Sequence, residues 1–337
     1  MGSNMRIWFP TVRAGSGSDV YVERLVSGLR EHGIDACLQW FDHRFELYPW
    51  ALRRINPPAG TDLVHANSWN GFVFHHHGLP LVITAFHCVY RNGFPSWKTR
   101  LQSIYHNNWI GHFERLSFAH AAAVVAMTPS AAADFSHRFT LPGLRLIHGW
   151  VDTDLFKPGE TYRAHDATTR ILIVGNSSKR KGMDLLPQLR AQLGEQFSIT
   201  VIGGLRAEQR KMHLGVTFKT GLSLAQLVAE YHAADMLVSL SRYEGFGYTA
   251  LEAMACAKPV VAFDVTGIRD IVIPGVTGFL AEQEDTLDMV RLCERIGSNR
   301  ELGLQLGRAG REAALQRFNQ ESALQSYINM YSRLCNS

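Results

Sequence analysis

Two carboxylates in one short segment, Glu244 and Glu252, are the residues whose setting points most directly to chemistry. They lie in the string Ser241-Arg242-Tyr243-Glu244-Gly245-Phe246-Gly247-Tyr248-Thr249-Ala250-Leu251-Glu252-Ala253-Met254, which follows the apolar run Met236–Leu240 and leads into a helical pattern. Gly245 and Gly247 let the backbone approach a ligand closely. The amides that open the helix offer donors and a favourable dipole to a diphosphate. Glu244 lies in the loop and Glu252 about two turns further on. One carboxylate suits a reacting sugar while the other accepts two ribose hydroxyls, as an acidic residue does in dinucleotide sites. A plain strand–helix turn with two solvated glutamates explains a bare Glu-Gly-x-Gly, but it explains the whole string poorly.

These groups need a scaffold that brings loops to the ends of strands. Arg6–Pro10, Asp62–His65, Leu79–Thr84 and Ala122–Met127 read as buried strands. Between them stand helical stretches, around Val22–Leu29 and from Lys98 to Ala119. The pattern restarts with strands Arg170–Gly175, Phe197–Gly204, Met236–Leu240 and Pro259–Phe263, and helices Asp184–Leu193 and Leu224–Ala234. Alternating strands and helices predict parallel sheets covered on both faces. The chain therefore reads as two α/β domains, 5–158 and 159–318, divided where Pro158–Gly159 breaks it, with a C-terminal helix 319–337 expected to pack back on the first domain. Ligands of such sheets bind beyond the carboxyl ends of the strands.

The bulk numbers narrow the partners. The 337 residues carry a net charge of +4 and are 46% hydrophobic, a balance compatible with phosphate-bearing ligands or an anionic surface but too weak to imply nucleic acid. The five cysteines are scattered and never paired as Cys-x-x-Cys, which reads as reduced thiols in a cytoplasmic protein. No stretch approaches the length of a membrane span, and no signal-peptide core follows the N-terminus. His75-His76-His77 are adjacent and point different ways, so they read as structural or surface residues rather than a metal site. Gly15-x-Gly17 lacks the third glycine of a dinucleotide fingerprint. The stretch Phe86–Phe118 mixes Arg91, Lys98, Arg100 and Arg115 with Phe94, Trp97, Tyr105, Trp109 and Phe113. It reads equally as an acceptor or membrane-surface element, at the inner face of the membrane, and as an ordinary loop and helix partly buried in the core.

The Ser241–Met254 string resembles the E-x7-E motif of the retaining glycosyltransferases of the GT-B fold, glycosyltransferase family 4 in particular. Further matches run in order along the chain. They are the glycine loop Gly15-Ser16-Gly17, the strands Asp62–His65 and Ile83–His87, the segment Gly149–Pro158, Lys181-Gly182, Ala257–Ala262, Gly267 and Gly275–Gly278. The resemblance implies two Rossmann-like, doubly wound domains facing across a cleft. It also implies a retaining hexosyltransferase that moves a sugar from a UDP-sugar or GDP-mannose type donor.

By the same resemblance, His87 and Glu244 are the catalytic residues. His87 sits at the transferred sugar, and the donor is held by Gly15, Gly17, Asn176, Arg180, Lys181, Leu222, Gly245, Phe246, Gly247, Tyr248, Thr249 and Glu252. The family clamps the diphosphate with an arginine and a lysine. Lys181 is present, but Asn176 stands where the arginine is expected, so Arg180 or Lys179 is expected to replace it. Thr266 and Ala257 also stand where glycine is usual. No cofactor and no metal are implied. The acceptor implied is a glycan or lipid-linked glycan in surface polysaccharide synthesis, with peripheral membrane association. The alternatives are a small-molecule acceptor, a sugar-nucleotide epimerase, and a catalytically silent nucleotide-sugar-binding protein.

Overall fold

A computed structural model describes residues 5–15, 17–76, 78–90, 99–159, 168–203 and 215–336. Ser16, His77, Arg91, Phe94, Trp97, Lys98 and Gly204, singled out above, lie outside the described residues. The chain forms two compact units, Met1–Gly149 with Gln320–Ser337, and Trp150–Asn319.

The first unit is built on β1 (Arg6–Val12), α1 (Gly17–Glu31), β2 (Asp35–Phe41), β3 (Leu63–Asn67), β4 (Leu81–Ala85), α2 (Arg100–Ile104), α3 (Gly111–His120), β5 (Ala123–Ala126), α4 (Pro129–Ser136) and β6 (Arg145–Leu146). Its strands run parallel in the order β2-β1-β3-β4-β5-β6. Ile7, Leu63, Val64, Val82, Ile83 and Val124 are fully buried, the continuous apolar strands of a sheet covered on both faces. The strand order reverses between β1 and β3, which puts a ligand crevice at their carboxyl ends.

The helix expected from Lys98 to Ala119 is present from Arg100 to His120, but it is interrupted by a π-helical turn at Tyr105–Ile110. That turn carries Trp109, whose ring meets Trp50 and Phe113 edge-on at 5.4 and 5.5 Å. Trp109, Leu101 and Ile104 are exposed.

The second unit contains β7 (Thr169–Val174), α5 (Leu186–Gln192), β8 (Phe197–Gly203), β9 (Val216–Thr220), α6 (Leu224–Ala233), β10 (Met236–Ser239), α7 (Tyr248–Ala255), β11 (Val260–Phe263), α8 (Ile268–Ile271), β12 (Gly278–Ala281), α9 (Thr286–Gly297) and α10 (Arg300–Arg317). Its parallel sheet has the order β12-β11-β10-β7-β8-β9, so the reversal falls between β7 and β10. Ser223 caps α6 by accepting from the Gln226 amide, while the Gln226 side chain reaches back to the Ser223 amide. The helix expected from Asp184 begins two residues later, at Leu186. Pro187 occupies its first turn, and the Asp184 carboxylate is engaged elsewhere, by Arg242.

The chain passes between the units at Gly149–Trp150, ahead of the break at Pro158–Gly159. Trp150, Val151 and Phe156 are already buried in the second unit. Phe156 meets Tyr231 edge-on at 5.8 Å, and Arg311 donates to the carbonyls of Thr153 and Phe156. Ala257 adopts a left-handed φ of 56° in the turn after α7, where a side chain costs about 1–2 kcal/mol. That conformation is why glycine is the usual residue there.

The last helix, α11 (Gln320–Cys335), belongs to the first unit. It lies against α1 so closely that a Cβ on Gly28 would stand 2.6 Å from Leu324. Tyr327 shares a hydrogen bond with Tyr21, and Tyr331 meets His65 Nδ1 at 2.6 Å. His65 Nε2 pairs with Thr84 Oγ1 at 2.7 Å. An imidazole with two hydroxyl partners is satisfied as the neutral tautomer, which donates once and accepts once.

Burial holds this imidazole down at about 3. The unfolded chain therefore gains a proton below the ordinary value of 6.5, whereas the folded chain stays neutral until about 3. The stability tied to neutral His65 is complete above 6.5 and is lost as the pH falls. It amounts to about 2 kcal/mol by pH 5. Urea titrations at pH 7 and pH 5 will show a loss smaller by about that amount in His65→Asn than in the unaltered protein.

Candidate functional site

The densest set of sequence-predicted residues lies at the carboxyl ends of β7 and β10, the reversal point of the second sheet. After β7 the chain turns through Asn176, whose side chain accepts from Ser178 Oγ at 2.8 Å, and then makes a single helical turn, Lys179–Lys181. Ser178 caps that turn, and Gly182 ends it in a left-handed conformation, φ 68°. A Cβ at Gly182 would fall 1.9 Å from the Leu240 carbonyl oxygen, so no side chain fits where this loop meets the end of β10.

After β10 comes the loop that carries Glu244. Its carboxylate is buried, pairs with Lys181 Nζ, lies 3.5 Å from Arg180 and accepts from Ser241 Oγ at 2.7 Å. Burial alone raises the pKa of a carboxyl group. Lys181 and Arg180, with the hydrogen bonds from Lys181 and Ser241, overcome that and bring Glu244 to about 2. It is therefore ionised throughout the physiological range and cannot act as a proton donor there. Arg180 also donates to the Tyr243 carbonyl at 3.1 Å. Lys179 is exposed, and its carbonyl is taken by Arg242.

Arg242 was not singled out from the sequence. Its buried guanidinium makes two parallel bonds to Asp184, 2.7 and 3.0 Å, pairs with Glu284, and donates to the Lys179 carbonyl. Its amide donates to the Arg180 carbonyl at 2.9 Å. One side chain thus fastens the Lys179–Asp184 loop to the loop that bears Glu244. Arg242 stands inside the motif, but its partners are remote in sequence and carry no local signal.

Gly247 caps α7 with φ 101°, and Tyr248 and Thr249 open the helix. Glu252 is buried on α7, where one of its oxygens accepts from the buried Tyr231 hydroxyl at 2.9 Å. Tyr231 fixes the rotamer of Glu252 and also reaches the Thr249 carbonyl. It is a second residue the sequence left unmarked. Phe246, expected among the donor-binding residues, turns its ring inward, 3% exposed, against Tyr248 at 5.0 Å and Phe318 at 5.9 Å. Its side chain is core, and its contribution to a ligand is limited to backbone. Leu222 is half-buried, just before the cap of α6.

Gly15, Gly17 and His87 belong to the first unit. The Gly15 amide, expected to serve donor phosphates, donates to Asp19 at 2.9 Å, and the Ala14 amide does likewise at 3.1 Å. In this state the glycine loop is folded around a carboxylate of its own helix. His87 follows β4, half-buried, with its ring edge-on to Trp69 at 5.5 Å. Among the described residues no group of three or more His, Cys, Asp or Glu is placed to hold a metal ion, and no helix is long and apolar enough to cross a membrane.

Comparison with known proteins gives matches along most of the chain. Residues 37–155 match the family described as Glycosyltransferase Family 4, and residues 161–313 the family described as Glycosyl transferases group 1. A D-inositol 3-phosphate glycosyltransferase of Geodermatophilus obscurus is 35% identical over 45% of this chain, a match that spans only 40% of that relative's length. Among solved structures, a sucrose-phosphate synthase from Thermosynechococcus elongatus superposes with a TM-score of 0.83 at 22% identity, covering 98% of this chain and 99% of its own. HepE from Anabaena, in complex with UDP and glucose, gives a TM-score of 0.75 at 17% identity, covering 97% and 99%.

The ion cluster generates a prediction. A carboxylate held down at about 2 contributes stability that is complete above its ordinary 4.5 and disappears as the pH falls towards 2. Lys181→Met removes the closest cation and leaves burial less opposed, so the folded-state pKa rises towards 4.5 and the acid-induced loss of stability becomes smaller. At pH 7 the variant loses about 3 kcal/mol, the cost of stranding a buried charge. Chemical denaturation from pH 7 to pH 3 measures both effects, and unchanged acid sensitivity would contradict the assignment.

Proposed function

The chain belongs to the family 4 type of glycosyltransferases with the GT-B fold, and on that basis we propose that it transfers a sugar from a nucleotide diphosphate donor with retention at the anomeric carbon. One observation carries the reading: Lys181 and Arg180 converge on an ionised, buried Glu244 at the reversal point of the second sheet, beside the start of α7. Departure of a nucleoside diphosphate builds negative charge on the phosphates and positive charge on the sugar ring. The cationic turn and the amides that open α7 match the first charge, and Glu244 matches the second. Because Glu244 is held ionised, it acts by its field and not by giving up a proton. Glu252, braced by Tyr231, accepts from the ribose hydroxyls.

UDP is the nucleotide we favour, since UDP occupies the related HepE structure. The relatives' names, an inositol-phosphate glycosyltransferase and a sucrose-phosphate synthase, support a small hydroxylated acceptor that bears a phosphate. A second reading, a lipid-linked glycan at a membrane surface, is favoured by Trp50, Leu101, Ile104 and Trp109, all exposed on the first unit. Supplying labelled donor with either acceptor class separates the two.

Arg180 is the arginine we assign to the diphosphate in place of the one missing at Asn176. Its guanidinium lies 3.5 Å from Glu244, whereas the Lys179 side chain is exposed, and a planar fork suits a diphosphate better than a point charge. Thermal shift with UDP, GDP, CDP and dTDP tests this assignment. One nucleotide at a hundred times its Kd will stabilise the protein by about 2.7 kcal/mol. Arg180→Ala will weaken that nucleotide about tenfold, a loss of about 1.4 kcal/mol, and Lys179→Ala will weaken it much less. A larger loss in Lys179→Ala would move the assignment to Lys179, equal losses would overturn the preference for Arg180, and no shift with any nucleotide would remove the donor-site assignment.

A further inference from the structure

The first unit holds a buried acid that the transfer reaction does not use. Glu114, on α3, is fully buried. Its Oε1 accepts from Ser68 Oγ at 2.7 Å, and the side chains of Tyr90 and Trp69 are close enough to influence its charge. Its Oε2 and the Tyr90 hydroxyl are both shut off from water without a well-aligned partner. Ser68 and Trp69 form the turn after β3, while Cys88 and Tyr90 lie on the segment that follows β4 and carries His87. Trp69 meets the His87 ring edge-on at 5.5 Å. The same helix grips the turn a second time, Ser117 Oγ accepting from the Phe72 amide at 3.0 Å. On the far side, Arg138, in the turn after α4, stacks over the Tyr90 ring at 4.0 Å.

We propose that Glu114 is a positioning residue for His87: from inside the first unit its carboxyl holds Ser68, and with it the turn that carries Trp69, and the Trp69 indole sets the imidazole. The proposal rests on the transferase reading only in giving His87 a role; the contact chain itself stands without it. The charge on Glu114 is the adjustable part. Burial raises it to about 7 against the pull of Ser68, Tyr90, Arg138 and Trp69, so a change of pH around neutrality switches the carboxyl between donor and acceptor. The other titratable or charged groups facing it are the Cys88 thiol and Tyr90 phenol of the segment after β4 and Arg138 in the turn after α4, with Asp134 of α4 beside Cys88. Burial raises the thiol to about 11 and the phenol higher still, which leaves Glu114 as the member of the cluster that titrates near pH 7.

The test follows the Trp69 indole N–H resonance, assigned with Trp69→Phe, from pH 6 to pH 8. The unaltered protein will show a step centred near pH 7, flat in Glu114→Gln and retained in His87→Asn. A step that persists in Glu114→Gln, or vanishes in His87→Asn, overturns the proposal. Should Glu114→Gln not fold, the His87→Asn arm decides alone, retention supporting the proposal and loss defeating it. Turnover is read in parallel: kcat/KM for donor consumption will carry a matching step, absent in Glu114→Gln and in Trp69→Phe, with donor KM unchanged. No turnover in any variant would sink the transferase reading while leaving the resonance result to judge the contact chain.

Discussion

A buried, charged carboxylate is the constraint around which the second unit is built. Glu244 loses its water when the loop after β10 folds, and without compensation it would take up a proton instead. Lys181 and Arg180 supply the compensation, but only because the turn that carries them is pressed against the end of β10. That contact needs the bare backbone of Gly182. It also needs Arg242, which ties Asp184 and the Lys179 carbonyl to the neighbouring loop. The pairing of two cations at this end of the sheet is thus a by-product of neutralising one acid. The two cations are held at short range to each other, a repulsion tolerated because Glu244 lies between them.

The first unit solves a different problem, that of holding its last helix. α11 is separated from α1 by the whole second unit in sequence, yet it closes the same core. Apolar contact between Leu324 and Gly28 gives the fit. The hydroxyls of Tyr327 and Tyr331 give direction, since each must find its partner, Tyr21 or His65, to be buried without cost. A polar seam of this kind specifies one placement of the helix where a purely apolar face would accept several.

Much of this was legible in the sequence, for reasons that are local. Ile171–Val174 and Met236–Leu240 announce themselves as buried strands, and Gly245 and Gly247 announce a strand–helix turn, because period and backbone freedom are properties of neighbouring residues. β2 was not visible because Gln39 and the partly exposed Cys37 interrupt its apolar pattern. The site was legible to the level of the motif and no further. Arg242 meets Asp184 and Glu284 only after the chain folds, and Tyr231 reaches Glu252 from another helix. The inward turn of the Phe246 ring was not legible, because the ring is claimed by Phe318, far along the chain. Gly15 was expected to help hold the donor, and its amide is here taken by Asp19, one turn later.

Glu244 and Glu114 show how the same functional group is given opposite characters. Both are buried, so desolvation pushes both towards the neutral form. Two cations reverse that push at Glu244. At Glu114 the neighbouring cation is Arg138, which is spread over the Tyr90 ring and hydrogen-bonded to Asn107, so burial prevails. The result is one acid at about 2 and another at about 7 in a single chain. An acid fixed as an anion suits a site where positive charge develops, because its field is constant at every working pH. An acid poised near neutrality suits a place away from the reacting atoms, where its proton alters a hydrogen bond rather than the field at the substrate. The neighbouring cations, and not the depth of burial, decide which acid is which.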